Sequence, residues 1–247
     1  MKGNAMKKIL MLLLTLLLLT GCGKQEIPES TQLTEETVAT VQTESSVPTA
    51  EAPTVPPTTL PETIPTLPPE PESDEVFVRV LDYIPTAVQE LRYATEDNFT
   101  GQVIYESADA YLRYGTVKRL MVVQNGLKPL GYKLLIWDSY RPVEAQFKLW
   151  EICPDSTYVA NPNKGYSSHS RGNTIDVSIV TLAGKEVEMP TGFDDFSVEA
   201  DRDYSDVSQT AAENALMLEQ IMEDAGFRGY SGEWWHYTDT TDYPVIE

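Results

Sequence analysis

Apolar positions recur with helical and strand-like spacing only in the C-terminal two thirds of the chain. Val76 to Ile84 alternates enough to predict a strand or an extended leading segment. Ser107 is placed to cap a helical region running towards Asn125, interrupted at Gly115, with Gly126 as its stop. Lys133 to Trp137 is a short apolar run between Gly131 and Asp138-Ser139, the signature of a buried strand. Pro142 fits the first turn of a helix whose apolar face is Ala145, Leu149 and Ile152. Thr174 to Val180 reads as a second buried strand, and Trp234 to Thr238 as a last one. Ala211, Ala215, Leu218, Met222 and Ala225 share one helical face, opposed by Glu213, Gln220 and Asp224, and Gly226 ends that helix. Helices and strands mix without a βαβ rhythm. The expected fold class is therefore α+β: one compact domain with a small mixed or antiparallel sheet flanked by helices.

Composition divides the chain. The first 75 of its 247 residues contain no Phe, Tyr or Trp, so they lack the means to build a packed core. Lys2, Lys7 and Lys8 precede an apolar run from Ile9 to Leu19, the layout of a secretory signal and too short for a membrane span. The run ends Leu19-Thr20-Gly21-Cys22, which resembles a bacterial lipobox with Cys22 as the lipidated residue. Residues 24–75 hold 10 of the 17 prolines, 11 threonines and 11 acids, a composition that stays extended. The expected organisation is a lipoprotein signal over 1–22, an unstructured tether over 23–75 and a folded domain over 76–247. The expected location is extracytoplasmic, with membrane contact through the lipid anchor only.

Charge excludes one class of partner. The formal net charge is −20, and residues 76–247 carry 27 acids against 14 bases, a poor match to nucleic acid or an anionic surface. Two cysteines, Cys22 and Cys153, leave no disulfide framework.

The chemistry lies in three short stretches. Ser167 to Asp176 (SSHSRGNTID) and Gly232 to Thr238 (GEWWHYT) contain both histidines of the chain. His169, Asp176 and His236 are the candidate metal ligands, since imidazole nitrogen and carboxylate oxygen suit zinc and three protein ligands leave an open position for water. Glu233 is placed to act as the base beside that water. The alternative is that these histidines and the neighbouring tryptophans only pack; both histidines standing in acid-flanked motifs favours a metal. The third stretch is WDSYRP, where Arg141 follows a buried strand. It can hold a carboxylate or a developing oxyanion, or form a salt bridge with one of the many acids.

With LRYATEDNFTG (91–101), WDSYRP (137–142), SSHSRGNTIDVSI (167–179), GFDDF (192–196) and GEWWHY (232–237), the chain resembles the zinc D-alanyl-D-alanine dipeptidases, relatives of the zinc D,D-carboxypeptidases of the cell wall. The resemblance implies one zinc on His169, Asp176 and His236, Glu233 as base, and Arg141 stabilising the transition state. It implies a small D-amino-acid peptide as substrate, in a pocket lined by Tyr93, Ser167 and Asp194, with Asp194 facing the substrate's amino group. Alternatives are a D,D- or L,D-carboxypeptidase trimming peptidoglycan stems, and a wall-binding module without turnover. Beyond Pro142 the sequence departs from the family's pattern, and Phe147 or Leu149 is the expected aromatic or apolar wall. The family commonly has Ala where Thr174 stands, a change expected to touch strand packing only.

Overall fold

A computed structural model describes residues 67–245. The signal segment, Cys22 and most of the 23–75 tether lie outside the described residues. Residues 69–75 are tied to the folded part: the Tyr83 hydroxyl donates to the Pro69 carbonyl (3.2 Å), Lys118 pairs with Asp74 (2.7 Å), and Arg113 donates to the Glu75 carbonyl (2.8 Å).

The architecture is α+β. Strand β1 (Phe77–Arg79) leads into one helical turn, α1 (Val80–Tyr83), and a two-residue strand β2 (Val88–Gln89) follows. Strand β3 (Tyr111–Arg113) feeds helix α2 (Tyr114–Leu127), then β4 (Tyr132–Asp138), α3 (Val143–Ile152), β5 (Thr174–Thr181), α4 (Gln209–Asp224), β6 (Phe227–Tyr230) and β7 (Glu233–Asp239). The main sheet has the order β2-β4-β5-β7-β6, parallel only between β2 and β4. A second sheet pairs β1 with β3.

Three boundaries differ from the sequence expectation. The extended segment expected over Val76 to Ile84 is strand only at Phe77–Arg79, and the chain turns helical over Val80–Tyr83. Ser107 caps no helix; its hydroxyl accepts from the Asp109 amide two residues on (3.2 Å). Residues 111–113 pair with β1 instead, which delays the helix to Tyr114. Gly126 lies inside α2, where an added methyl would press on Ile221 of α4, and the chain turns only at Gly131 with φ +89°. By contrast Ser208 caps α4 as its type allows, accepting from the Ala211 amide (3.1 Å).

The core follows the strand pleat. Leu134 faces Ile179 and Ile136 faces Val177 across β4 and β5, while α2 and α4 pack on each other and on the sheet. These four side chains and Val117, Leu120, Leu218 and Met222 of the helices are fully or almost fully buried. The opposite face carries Leu135 and Ser178, and further along it the site.

Candidate active site

A bulge sets the row of functional side chains. The β4–β5 register shifts between Ile136 and Asp138, so Asp138 rather than Trp137 stands opposite Asp176. Asp176 in turn stands opposite His236 on β7. Cross-strand partners share a face, so Asp138, Asp176 and His236 form a line across three strands.

His169 joins the line from the 3₁₀ turn Ser168–Arg171 that precedes β5. The turn closes at Gly172 with φ +75°, and the Phe77 ring occupies the space a methyl would need there. Backbone and side-chain bonds stitch this turn to the end of β4. The Arg141 amide donates to the His169 carbonyl (3.3 Å), and the Ser170 hydroxyl donates to the Arg141 carbonyl (2.9 Å). On the far side, the Arg202 guanidinium donates to the carbonyls of Trp234 (3.0 Å) and His236 (3.1 Å), fixing β7.

The three candidate ligands converge within 4.8 Å of one another. His169 Nε2 is 3.4 Å from Asp176 Oδ2, and His236 Nδ1 is 3.0 Å from Asp176 Oδ1. Two ligands about 2.1 Å from one tetrahedral ion stand roughly 3.4 Å apart, so these spacings suit a single zinc. His169 Nδ1 lies 2.8 Å from the Ser139 carbonyl, a bond it can make only as donor, which leaves Nε2 as a lone pair towards Asp176 in the neutral ring. Asp176 Oδ1 is buried, and the nearby His236 Nδ1 does not meet it in hydrogen-bond geometry. Burial alone would raise the Asp176 pKa, but attraction to His169 and then His236 in their charged forms outweighs it and holds the carboxyl well below its ordinary value, so Asp176 calls for positive charge beside it. An acceptor-rich, buried cluster of this kind fits a cation.

Glu233 opens β7, with Oε2 3.5 Å from His236 Nδ1. Burial raises its pKa above the ordinary glutamate value. Arg141, Tyr93, Ser167 and Asp194 all line the same cleft of about 300 Å³ as the three ligands and Glu233. The Tyr93 hydroxyl donates to Asp194 Oδ2 (2.9 Å), and burial keeps that phenol protonated by raising its pKa well above the ordinary value. Asp194 adopts φ +56°, and burial, with the Asp176 charge beside it, pushes its carboxyl up to about 8.

Neither expected wall residue reaches the cleft. Phe147 is 45% exposed on the outer face of α3, and Leu149 is fully buried in the core. Helical spacing from Pro142 turns both away from the site. Tyr158, Phe196 and Tyr230 form the aromatic boundary instead, with Tyr158 and Phe196 rings 5.1 Å apart. They come from loops and a strand edge, where no periodicity marks them. Thr174 packs within the sheet, its hydroxyl 3.0 Å from that of Thr238.

Residues 73–245 match the family model described as D-ala-D-ala dipeptidase. The chain belongs to this peptidase family. It is similar to the D-alanyl-D-alanine dipeptidase of Escherichia coli K12, 37% identical over 159 residues that cover 64% of this chain and 82% of the relative. The enzyme of that name from Enterococcus faecium is 35% identical over 184 residues, 66% of this chain and 91% of the relative. Among solved structures, VanYB in complex with D-alanine-D-alanine is 17% identical with a TM-score of 0.36, covering 55% of this chain and 75% of that one. That likeness is too distant to bear on the site. As a member of the D-Ala-D-Ala dipeptidase family the protein is a peptidase, a hydrolase of the metallopeptidase type.

Proposed function

We propose that the protein is a zinc-dependent dipeptidase that hydrolyses free D-Ala-D-Ala outside the cytoplasmic membrane, to which Cys22 anchors it. The observation that carries the reading is the convergence of two histidines and a buried carboxylate beside Glu233, in a cleft that also holds Arg141 and Asp194.

His169, Asp176 and His236 would hold one zinc ion. Zinc in such a site polarises a carbonyl and brings the pKa of water down to about 7. Glu233, with its pKa raised by burial, takes the proton of the attacking water and returns it to the departing amine. Arg141 faces the developing oxyanion. Of its five N–H groups, Asp138 and Gln146 engage three, and two remain for a substrate oxygen. Asp194 pairs with the dipeptide's ammonium, its carboxylate held in place by the Tyr93 hydroxyl. Ser167, buried at the cleft wall next to the His169 turn, adds a hydroxyl for the substrate.

An N-acylated substrate has no ammonium to draw the proton from Asp194 and pair with its carboxylate; it forfeits that ion pair, a loss that selects for free dipeptide. The test offers the zinc-loaded protein free D-Ala-D-Ala and its N-acetyl form. Cleavage of the first with the second largely spared is expected. Equal cleavage would overturn the dipeptidase reading in favour of a D,D-carboxypeptidase.

A further inference from the structure

Arg141 is gripped from two sides by buried residues whose polar groups are turned to protein partners. The Asp138 side chain is fully buried. Its Oδ2 accepts from Arg141 Nε (3.2 Å) and Nη2 (2.7 Å). Its Oδ1 accepts from the Tyr105 hydroxyl (2.6 Å) and the Ser139 amide (2.8 Å). Both oxygens are thus occupied by protein donors. Gln146, 2% exposed on α3, is committed in the same way. Its Oε1 accepts from Arg141 Nη1 (2.9 Å), and its Nε2 donates to the Ala160 carbonyl (2.8 Å), on the loop that borders the cleft. The guanidinium also lies over the Tyr93 ring, 5.0 Å from its centroid.

We propose that Asp138 and Gln146 are the positioning residues of Arg141. Together they fix the plane and direction of the guanidinium, so that its remaining two donors meet the oxyanion without searching rotamers. This rests on the functional reading above, in which Arg141 stabilises the transition state. The physical reason is preorganisation: donors aimed in advance need no rearrangement when charge develops. The β4 bulge is what brings Asp138 into reach, and the bond from Gln146 to Ala160 links the orientation of Arg141 to the loop at the cleft mouth.

The experiment is a pair of double-mutant cycles on the zinc-loaded protein: Asp138→Asn and Gln146→Met, each alone and with Arg141→Ala. Measured are kcat and KM for D-Ala-D-Ala, zinc content, and the inhibition constant of a tetrahedral phosphinate analogue of the dipeptide. Outer partners of site residues are typically worth about 10–100-fold, and we expect Asp138→Asn to lower kcat by that much and Gln146→Met by somewhat less. KM and zinc content should stay near the wild-type values, and phosphinate affinity should fall in step with kcat. In the Arg141→Ala background both changes should lose most of their effect. The proposal is overturned if either drop in kcat persists undiminished without Arg141, or if it tracks loss of zinc. Should Asp138→Asn not fold, Tyr105→Phe, which removes one hydrogen bond to Asp138 and a long one from Arg141 Nε (3.4 Å), takes its place in the cycle under the same criteria. Failure of the underlying reading looks different: wild type would not turn over D-Ala-D-Ala, or Arg141→Ala alone would keep wild-type kcat, and either result removes the proposal with it.

Discussion

Replacing Asp194 by Asn should make the metal-free protein more stable, and increasingly so as pH rises. In the folded protein the Asp194 carboxyl titrates near 8 because burial disfavours its charge and the Asp176 carboxylate adds to that; the Tyr93 hydroxyl and Arg141 offset only part. A shift from the ordinary 3.8 to about 8 makes ionisation in the folded protein harder by about 6 kcal/mol. Asp194 is partly exposed, so solvent trims this, and a gain of a few kcal/mol is the realistic expectation. The sign follows from proton counts. Between pH about 4 and 8 the unfolded chain has lost this proton and the folded protein has kept it, so wild-type stability falls as pH rises through that window and levels off above it. The Asn variant lacks this slope while retaining an acceptor for Tyr93. Urea denaturation from pH 5 to 9 should therefore show the variant gaining on wild type by up to about 1.4 kcal/mol per pH unit, with the gap constant above about 8. Zinc offsets the charge of Asp176, so loading the site should move the wild-type transition to lower pH. Parallel stability curves for the two metal-free proteins would refute the reasoning, and with it the picture of Asp194 as a desolvated carboxyl waiting for an ammonium.

Other expectations are open to direct measurement. Glu233→Gln should keep one zinc per chain and lose turnover by about 10²–10⁴-fold, whereas His169→Ala, Asp176→Ala and His236→Ala should each lose zinc; metal analysis beside kinetics separates the two behaviours. Gly172→Ala places a methyl against the Phe77 ring at φ +75°, so it should destabilise the fold by about 1–3 kcal/mol and weaken zinc binding through displacement of the His169 turn, read by thermal melting and metal titration. Cys22→Ala should leave the membrane fraction or accumulate unprocessed, and normal processing with retention in the membrane would remove the lipid anchor.

The sequence by itself determined the parts of this protein that are local. Lys133 to Trp137 and Thr174 to Val180 are apolar enough to be buried whatever they pair with, and both are central strands, β4 and β5. The face of α4 and its end at Gly226 needed only helical periodicity and one residue free to take φ +90°. His169 with Asp176, and Glu233 with His236, are legible because each pair sits within one short stretch of chain. What the tertiary structure decided depends on partners distant in sequence. The start of α2 moved from Ser107 to Tyr114 because β3 pairs with β1, some 30 residues earlier, and a hydroxyl's local capping preference cannot compete with a strand ladder. Phe147 and Leu149 were turned from the cleft by the phase of α3, and loop aromatics took the place expected of them. Most of all, Asp138 reads in the sequence as the polar end of a strand. Only the β4 bulge, a property of register between two strands, aims it at Arg141 and sets it in line with Asp176 and His236. Register is fixed by the whole sheet at once, so no single stretch of sequence carries it.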